Sequence, residues 1–167
     1  MGEEIIDIVN EKNEVVGAAP RKGIHNTKLM HRSIHMFLLN PDGRIWLEKR
    51  ALTTDTFPGY YNSSAAGHIS QGESYLEGAQ REVVEELDIE GLNLKQVHML
   101  KASEETSNEF VAFFVAESDA EPRVNEEATT SLHLYSVEQI DEMIASGEKF
   151  VPIFLRLYAW HKASMRK

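Results

Sequence analysis

Residues 67–89 read GHISQGESYLEGAQREVVEELDI. Ser74, followed three residues later by Glu77, has the form of a capping box, in which each side chain bonds the other residue's backbone N–H. The pattern predicts a helix from Ser74 to Leu87. Leu76, Ala79, Val83 and Leu87 recur at spacings of three and four, which builds one apolar stripe for a core. Glu82, Glu85 and Glu86 fall at i, i+3 and i+4, so their carboxylates crowd one side of the helix beside that stripe. Like charges at these spacings repel by roughly a few tenths of a kcal/mol per pair. Three carboxylates at the edge of a core call for a cation, and hard oxygen ligands suit Mg²⁺ or Mn²⁺. Taken alone, the triplet also fits a solvated acidic face, because Arg81 lies four residues from both Glu77 and Glu85. Gly67, His68 and Gly72 read as a loop before the helix, able to approach a ligand closely.

Strand-like segments surround this helix. Ile5 to Val9 and Glu14 to Gly17 predict an N-terminal hairpin over about residues 5–17. Residues 18–31 read as a loop or short helical turn. Ser33 to Asn40 and Arg44 to Arg50 flank Pro41-Asp42-Gly43 and predict a second hairpin. Further strands are expected over 60–65, 95–101, 109–117 and 129–135. Ser136 with Gln139 repeats the capping-box signal, and Pro152 suits the first position of a last helix. Phe154, Leu155, Leu157, Tyr158 and Trp160 make that helix apolar enough for core packing or a homodimer contact. Strands interleaved with helices, and no linker, predict a mixed α/β sandwich spanning 1–167 as one domain.

The 167 residues carry 17 Lys plus Arg against 27 Asp plus Glu, a formal charge of −10. Such a balance argues against a nucleic-acid partner and against an anionic membrane surface. An apolar fraction of 42% is enough for a core. The absence of Cys excludes a disulfide framework, a zinc–thiolate site and a cysteine nucleophile, and it fits a cytoplasmic protein. No apolar run reaches the roughly 18–20 residues of a membrane helix.

From Gly67 the order is five residues, Glu73, seven residues, then Arg81-Glu82-Val83-Val84-Glu85-Glu86-Leu87-Asp88-Ile89. It resembles the Nudix box, G-x5-E-x7-R-E-U-x-E-E-x-G-U with U aliphatic. At ordinary residue usage, six exact matches arise by chance on the order of once in ten million windows. Asp88 alone departs, where the box has Gly. That position follows the helix end, and Asp is one of the few other residues that visits the left-handed conformation.

The resemblance implies an α/β/α sandwich around a mixed sheet and hydrolysis of a diphosphate linkage in a nucleoside diphosphate derivative or related small molecule. It implies that Glu82, Glu85 and Glu86, with the Ala66 carbonyl, hold Mg²⁺ or Mn²⁺. Glu73 would pair with Arg81 and orient the helix. Glu82 is the first choice for the general base, with Glu109 and the Glu126-Glu127 pair as alternatives. A wider stretch, about residues 5–117, resembles the branch that contains the type I isopentenyl-diphosphate isomerases. It includes the hairpin, His25 and His31, and Phe57-Pro58-Gly59-Tyr60-Tyr61 through His68. In that branch a cysteine and a glutamate move the proton, and three His and two Glu bind one metal. Here Ala66 takes the cysteine's place, Glu109 matches the catalytic glutamate, and Ser107 falls at the other metal-binding glutamate. His25, His31 and His68 match the three His, with the first spacing one residue shorter.

The isomerase pair is therefore incomplete while the hydrolase carboxylates are complete, so the reading is an isomerase-like Nudix hydrolase. Its competitors are a non-catalytic nucleotide-sensing module and a prenyl-diphosphate isomerase. The substrate stays open among nucleoside phosphates, nucleotide sugars and non-nucleotide diphosphates. Trp46, Phe57, Tyr60 and Tyr61 are candidates to stack on a base, and Arg44, Lys49 and Arg50 to meet phosphate.

Overall fold

A computed structural model describes residues 3–124 and 130–166. The sheet is organised on β3 (Met30–Leu39), the longest strand. Along one edge, β8 (Glu109–Glu117) runs parallel to it, from His31 opposite Glu109 to Leu39 opposite Glu117. The other edge is shared by three strands in turn. β1 (Ile5–Val9) takes Met30 and His31, β6 (Ala65–His68) takes Ser33 to Met36, and β4 (Ile45–Lys49) meets β3 only at Leu39 opposite Ile45. β2 (Val15–Pro20) pairs with β1, and β7 (Lys95–Leu100) pairs with β8. β5 (Tyr61–Asn62) and β9 (Ser131–Tyr135) pair with β4.

The second hairpin expected from the sequence is thus joined only beside its turn, at Leu39 and Ile45. Ser64 is the reason. Its hydroxyl accepts from Leu38 N at 2.8 Å and donates to the Trp46 carbonyl at 2.5 Å, satisfying backbone groups that a hairpin would pair. The single strand expected over 60–65 is split at Ser63 and Ser64 for the same reason. Gly67 and His68 belong to β6 rather than to a loop, and β2 reaches Pro20 where a loop was expected. A short 3-10 turn at Ile24–Asn26 follows.

Alternation along β3 sorts its side chains onto two faces. Ile34, Met36 and Leu38 pack under α1 (Tyr75–Leu87), with Ala79, Val83, Ala112 and Phe114. Phe37 packs on the opposite face with Phe113, Phe154 and Leu157, beneath α2 (Val137–Ala145) and α3 (Pro152–Ser164). The result is the expected α/β/α sandwich around a mixed sheet. His31, Ser33 and His35 share the face of Phe37, so the α3 side of β3 turns polar toward the start of the strand.

Both capping boxes are present in full, and Asp88 closes α1 in the left-handed conformation at φ 55°. The stripe on α1 is rotated from its expected position. Leu76 is 44% exposed, while Gly78 and Glu82 join the buried side. Phe154, Leu157 and Tyr158 bury α3 in the core, and Leu155 faces outward. Among the described residues, no helix is long and apolar enough to cross a membrane.

Candidate active site

Rotation of the α1 stripe brings Glu82 against β6. A Cβ on Gly67 would lie only 2.3 Å from the Glu82 carboxyl carbon, so the carboxylate rests on bare backbone. One turn further, Glu86 Oε2 accepts from Ala66 N at 3.0 Å. Arg81 fixes the near end of the group. It donates to both Glu73 oxygens at 2.9 Å, to Glu82 Oε1 at 2.8 Å, to Glu85 Oε2 at 3.3 Å and to the His68 carbonyl at 3.1 Å. The bidentate geometry with Glu73 is the strong form of this pair. Its hydrogen bonds, Arg81's first, hold the Glu73 carboxyl below its ordinary range.

Glu82, Glu85 and Glu86 line a cleft of about 580 Å³ together with Ala66, Gly67 and Arg81. The cleft gains two more carboxylates that sequence reasoning missed, Glu4 and Glu48. Glu48 projects from β4 on the same face as Trp46, whose ring packs on the α1 side. Alternation in Ile45-Trp46-Leu47-Glu48 was the available signal, but only the fold shows that this face meets α1. Arg50 approaches Glu48 at 3.8 Å.

Burial pushes the carboxyls of Glu82 and Glu48 above their ordinary range. Glu86 is pushed well above it, by burial first and then by the charges of Glu48 and Glu82. Such a set suits a divalent cation with oxygen ligands. It also makes a testable sign. A folded carboxyl with a raised pKa binds protons that the unfolded chain has released, so metal-free stability falls as pH rises from the ordinary value of 4.5. A bound cation takes over from those protons. Saturating Mg²⁺ is therefore expected to raise the melting temperature by roughly 5 °C at about pH 8, and much less at about pH 5. Scanning fluorimetry checks this, and equal shifts at both pH values would contradict it.

A second cavity of about 500 Å³ lies on the α3 side of β6. Ala66, Gly67, His68, Arg21 and Arg50 line both cavities, so β6 forms the ridge between them. His25, His68 and Glu109 line this second space, and together with the buried His31 each offers one ligand-type atom, all within 4.8 Å of one another. His31 Nδ1 lies 3.1 Å from the Leu29 carbonyl, so its proton sits there and Nε2 offers a lone pair. Nε2 of His31 has no hydrogen-bond partner among the described residues. His68 is different, because its Nδ1 accepts from Arg21 Nε at 3.2 Å and Nε2 then keeps the proton of the neutral ring. Burial lowers the pKa of His25 and His31 and brings that of His68 to about 3. It raises Glu109 to about 7. Neutral imidazoles beside a carboxylate can hold a metal, although His68 would first have to exchange its bond to Arg21.

The structure thus brings Glu82, Glu85, Glu86, Ala66, Gly67, Glu73 and Arg81 together and puts Glu109 across the ridge with the histidines. Glu126 and Glu127 lie outside the described residues. Arg50 lines both cavities, Lys49 lies over the Tyr61 ring at 5.2 Å, and Arg44 lines neither of these two cavities. Of the four aromatic candidates only Phe57 lines either cavity. Trp46 packs on the α1 side, and Tyr61 packs against Phe150. Ser107 and Asn108, at φ 57° and 63°, and Phe57, at φ 46°, shape the rim of the second cavity in the left-handed region. Arg21, His35 and Asn62 also line it and were not singled out from the sequence.

Comparison with known proteins gives the same site a family. A family model described as NUDIX domain matches residues 29–157. A Nudix hydrolase of Deinococcus radiodurans is 29% identical over 150 residues, covering 89% of this chain and 88% of the relative. The uncharacterized Nudix hydrolase YfcD of Escherichia coli K12 is 29% identical over 164 residues, covering 98% and 89%. The crystal structure of DR0079 from D. radiodurans superposes with a TM-score of 0.77 at 28% identity, covering 89% of this chain and 93% of that one. The NUDIX domain of Shewanella oneidensis NrtR, solved with ADP ribose, shares the fold at 11% identity and a TM-score of 0.67, covering 84% and 91%. With the carboxylate-bearing helix seated on its glycine and the domain matched over most of its length, the chain belongs to the Nudix family of pyrophosphohydrolases.

Proposed function

We propose that the chain hydrolyses a diphosphate linkage in a small phosphorylated molecule, with Mg²⁺ or Mn²⁺ held by Glu82, Glu85, Glu86 and the Ala66 carbonyl. The observation that carries this reading is the seating of Glu82 on Gly67, with Glu85 and Glu86 opening on one cleft. The bound cation would neutralise the diphosphate, polarise phosphorus and lower the pKa of a water. Glu82 takes the proton of the attacking water, and Arg81 keeps its carboxylate in place. Glu73 acts through Arg81 and touches no substrate. Arg50, which lines both cavities and also donates to Thr56, is the cation we choose to meet phosphate. Glu109 is a less suitable base for this step, because it faces the histidines rather than the box carboxylates.

The isomerase reading finds no acid at Ala66, which lines both cavities with a methyl group. The cluster of His25, His31, His68 and Glu109 is the feature that keeps the likeness to that branch.

The test is phosphate and pyrophosphate release from a panel of nucleoside di- and triphosphates, nucleotide sugars, dinucleoside polyphosphates, ADP ribose and isopentenyl diphosphate. Each is run with Mg²⁺, with Mn²⁺ and with chelator. Cleavage of one class that stops with chelator is the expected result. Binding without cleavage of any compound would favour the sensing module instead.

A further inference from the structure

Two buried polar side chains of the second cavity take no part in the reaction just described. His35, on β3, is 5% exposed, and Asn62, on β5, is 6% exposed. Both line the cavity, while their neighbour Ser63 is fully buried away from it. Ser63 ties down the inner end of each. Its backbone N–H donates to Asn62 Oδ1 at 2.8 Å, and its hydroxyl lies 2.8 Å from His35 Nδ1. The first bond fixes which end of the amide is oxygen, so Nδ2 is the free end of Asn62. The second engages the inner edge of the imidazole and leaves Nε2 on the cavity side. The neutral ring carries one proton, and we place it on Nε2, with the Ser63 hydroxyl donating to Nδ1. Neither Nε2 of His35 nor Nδ2 of Asn62 makes a hydrogen bond to a described residue.

Two N–H donors that reach the cavity and bond no described residue are free to meet an acceptor on a bound molecule in place of water. The rest of the lining narrows what that acceptor is. Phe57, Val151 and Ile153 supply apolar surface suited to an organic group, while the two cations of the lining, Arg21 and Arg50, face the carboxylate cleft as well, on the side where the phosphates would lie. The ridge at Ala66–His68 is shared with the carboxylate cleft, so a molecule with its phosphates at Glu82 can extend across it.

We propose that the second cavity receives the organic group of the diphosphate substrate, and that His35 Nε2 and Asn62 Nδ2 select an uncharged oxygen on it, a carbonyl or a hydroxyl. This rests on the hydrolase reading for the position of the phosphates. An organic group without oxygen would leave both donors unpaired, and such sites discriminate strongly against analogues that lack the partner atom.

The experiment is calorimetric titration of the full chain with Ca²⁺ in place of Mg²⁺ to suppress turnover. The probes are uridine diphosphate, adenosine diphosphate and isopentenyl diphosphate. Asn62→Ala and His35→Phe are compared with wild type, after thermal melts confirm folding. Ser63→Ala serves as a milder variant that keeps the ring but removes its tether. Wild type is expected to prefer the nucleotides, and each variant to bind them about tenfold more weakly with isopentenyl diphosphate unchanged. Loss on uridine diphosphate alone identifies a base carbonyl, and equal loss on both nucleotides identifies a ribose hydroxyl; both outcomes support the proposal. Unchanged affinities, equal loss on all three probes, a wild-type preference for isopentenyl diphosphate, or no binding at all would overturn it. Cleavage with Mg²⁺ is measured separately. Selective binding without cleavage would sink the hydrolase reading and leave the cavity assignment standing, while cleavage with preference unaltered in the variants would do the reverse.

Discussion

Glu82→Gln is expected to lower kcat by about three orders of magnitude while leaving the protein folded. The amide keeps the shape that rests on Gly67 and can still accept from Arg81 Nη1. It removes the negative charge that would draw a cation and the basicity that would take a proton from water. The fold should tolerate this well. The wild-type carboxyl is buried beside Glu85, and burial already pushes its pKa up, so the charge is a burden on the metal-free protein at neutral pH. The metal-free variant is therefore expected to melt within a few degrees of wild type, or above it, which separates a chemical defect from a folding defect. Glu109→Gln is the matched control. Glu109 is just as buried but lies across the ridge with His31 and His68, so its kcat should stay within about tenfold of wild type. Steady-state phosphate release from whichever panel compound is cleaved gives both numbers. Full turnover in Glu82→Gln together with a dead Glu109→Gln would move the chemistry to the histidine side.

Much of this site was legible because its parts lie in one short stretch and obey local rules. The cap at Ser74, the spacing of the three carboxylates and the left-handed Asp88 depend on nearest neighbours along one helix. Glu73 and Arg81 are eight residues apart and meet because the helix fixes the distance. What escaped the sequence was set by pairing across the sheet. Glu48 looks like an ordinary alternating strand residue until β4 is seen leaving β3 and turning that face toward α1. Ser64, which causes the departure, carries no sequence signal, since a serine that satisfies two broken backbone pairs resembles any other. His35 reads as one polar residue in an apolar run. Only the registers that place Ala66 and Phe113 beside it show that it closes a cavity. Leu76 shows the opposite error, in which periodicity assigned to the core a residue that the rotated buried face of α1 leaves 44% exposed.

Gly67→Ala should reproduce most of the Glu82→Gln defect without touching a carboxylate. Gly67 is not held at positive φ, so an alanine there meets no backbone strain. The obstacle is contact, because the new Cβ would stand 2.3 Å from Glu82 Cδ and Oε1 and 2.7 Å from Oε2. Those atoms end a flexible side chain, so the carboxylate can swing away rather than force the helix off the sheet. Ala79, Val83 and Leu87 keep α1 packed on the core in either case. The stability cost should therefore be about 1–2 kcal/mol, in the range of a modest overpacking. The functional cost should be larger. A displacement on the order of 1 Å at a catalytic group can cost about a hundredfold in rate. Glu82 is also held on its other side by Arg81, which is itself locked to Glu73, so the group has little freedom to return to its place. The expected result is a fall in kcat of about a hundredfold with KM changed little, and a weaker response of the melting temperature to Mg²⁺. Kinetics and scanning fluorimetry on one preparation read both. Wild-type kcat in a folded Gly67→Ala protein would show that Glu82 does its work from some other position, and the seating of the carboxylate on bare backbone would lose its meaning for catalysis.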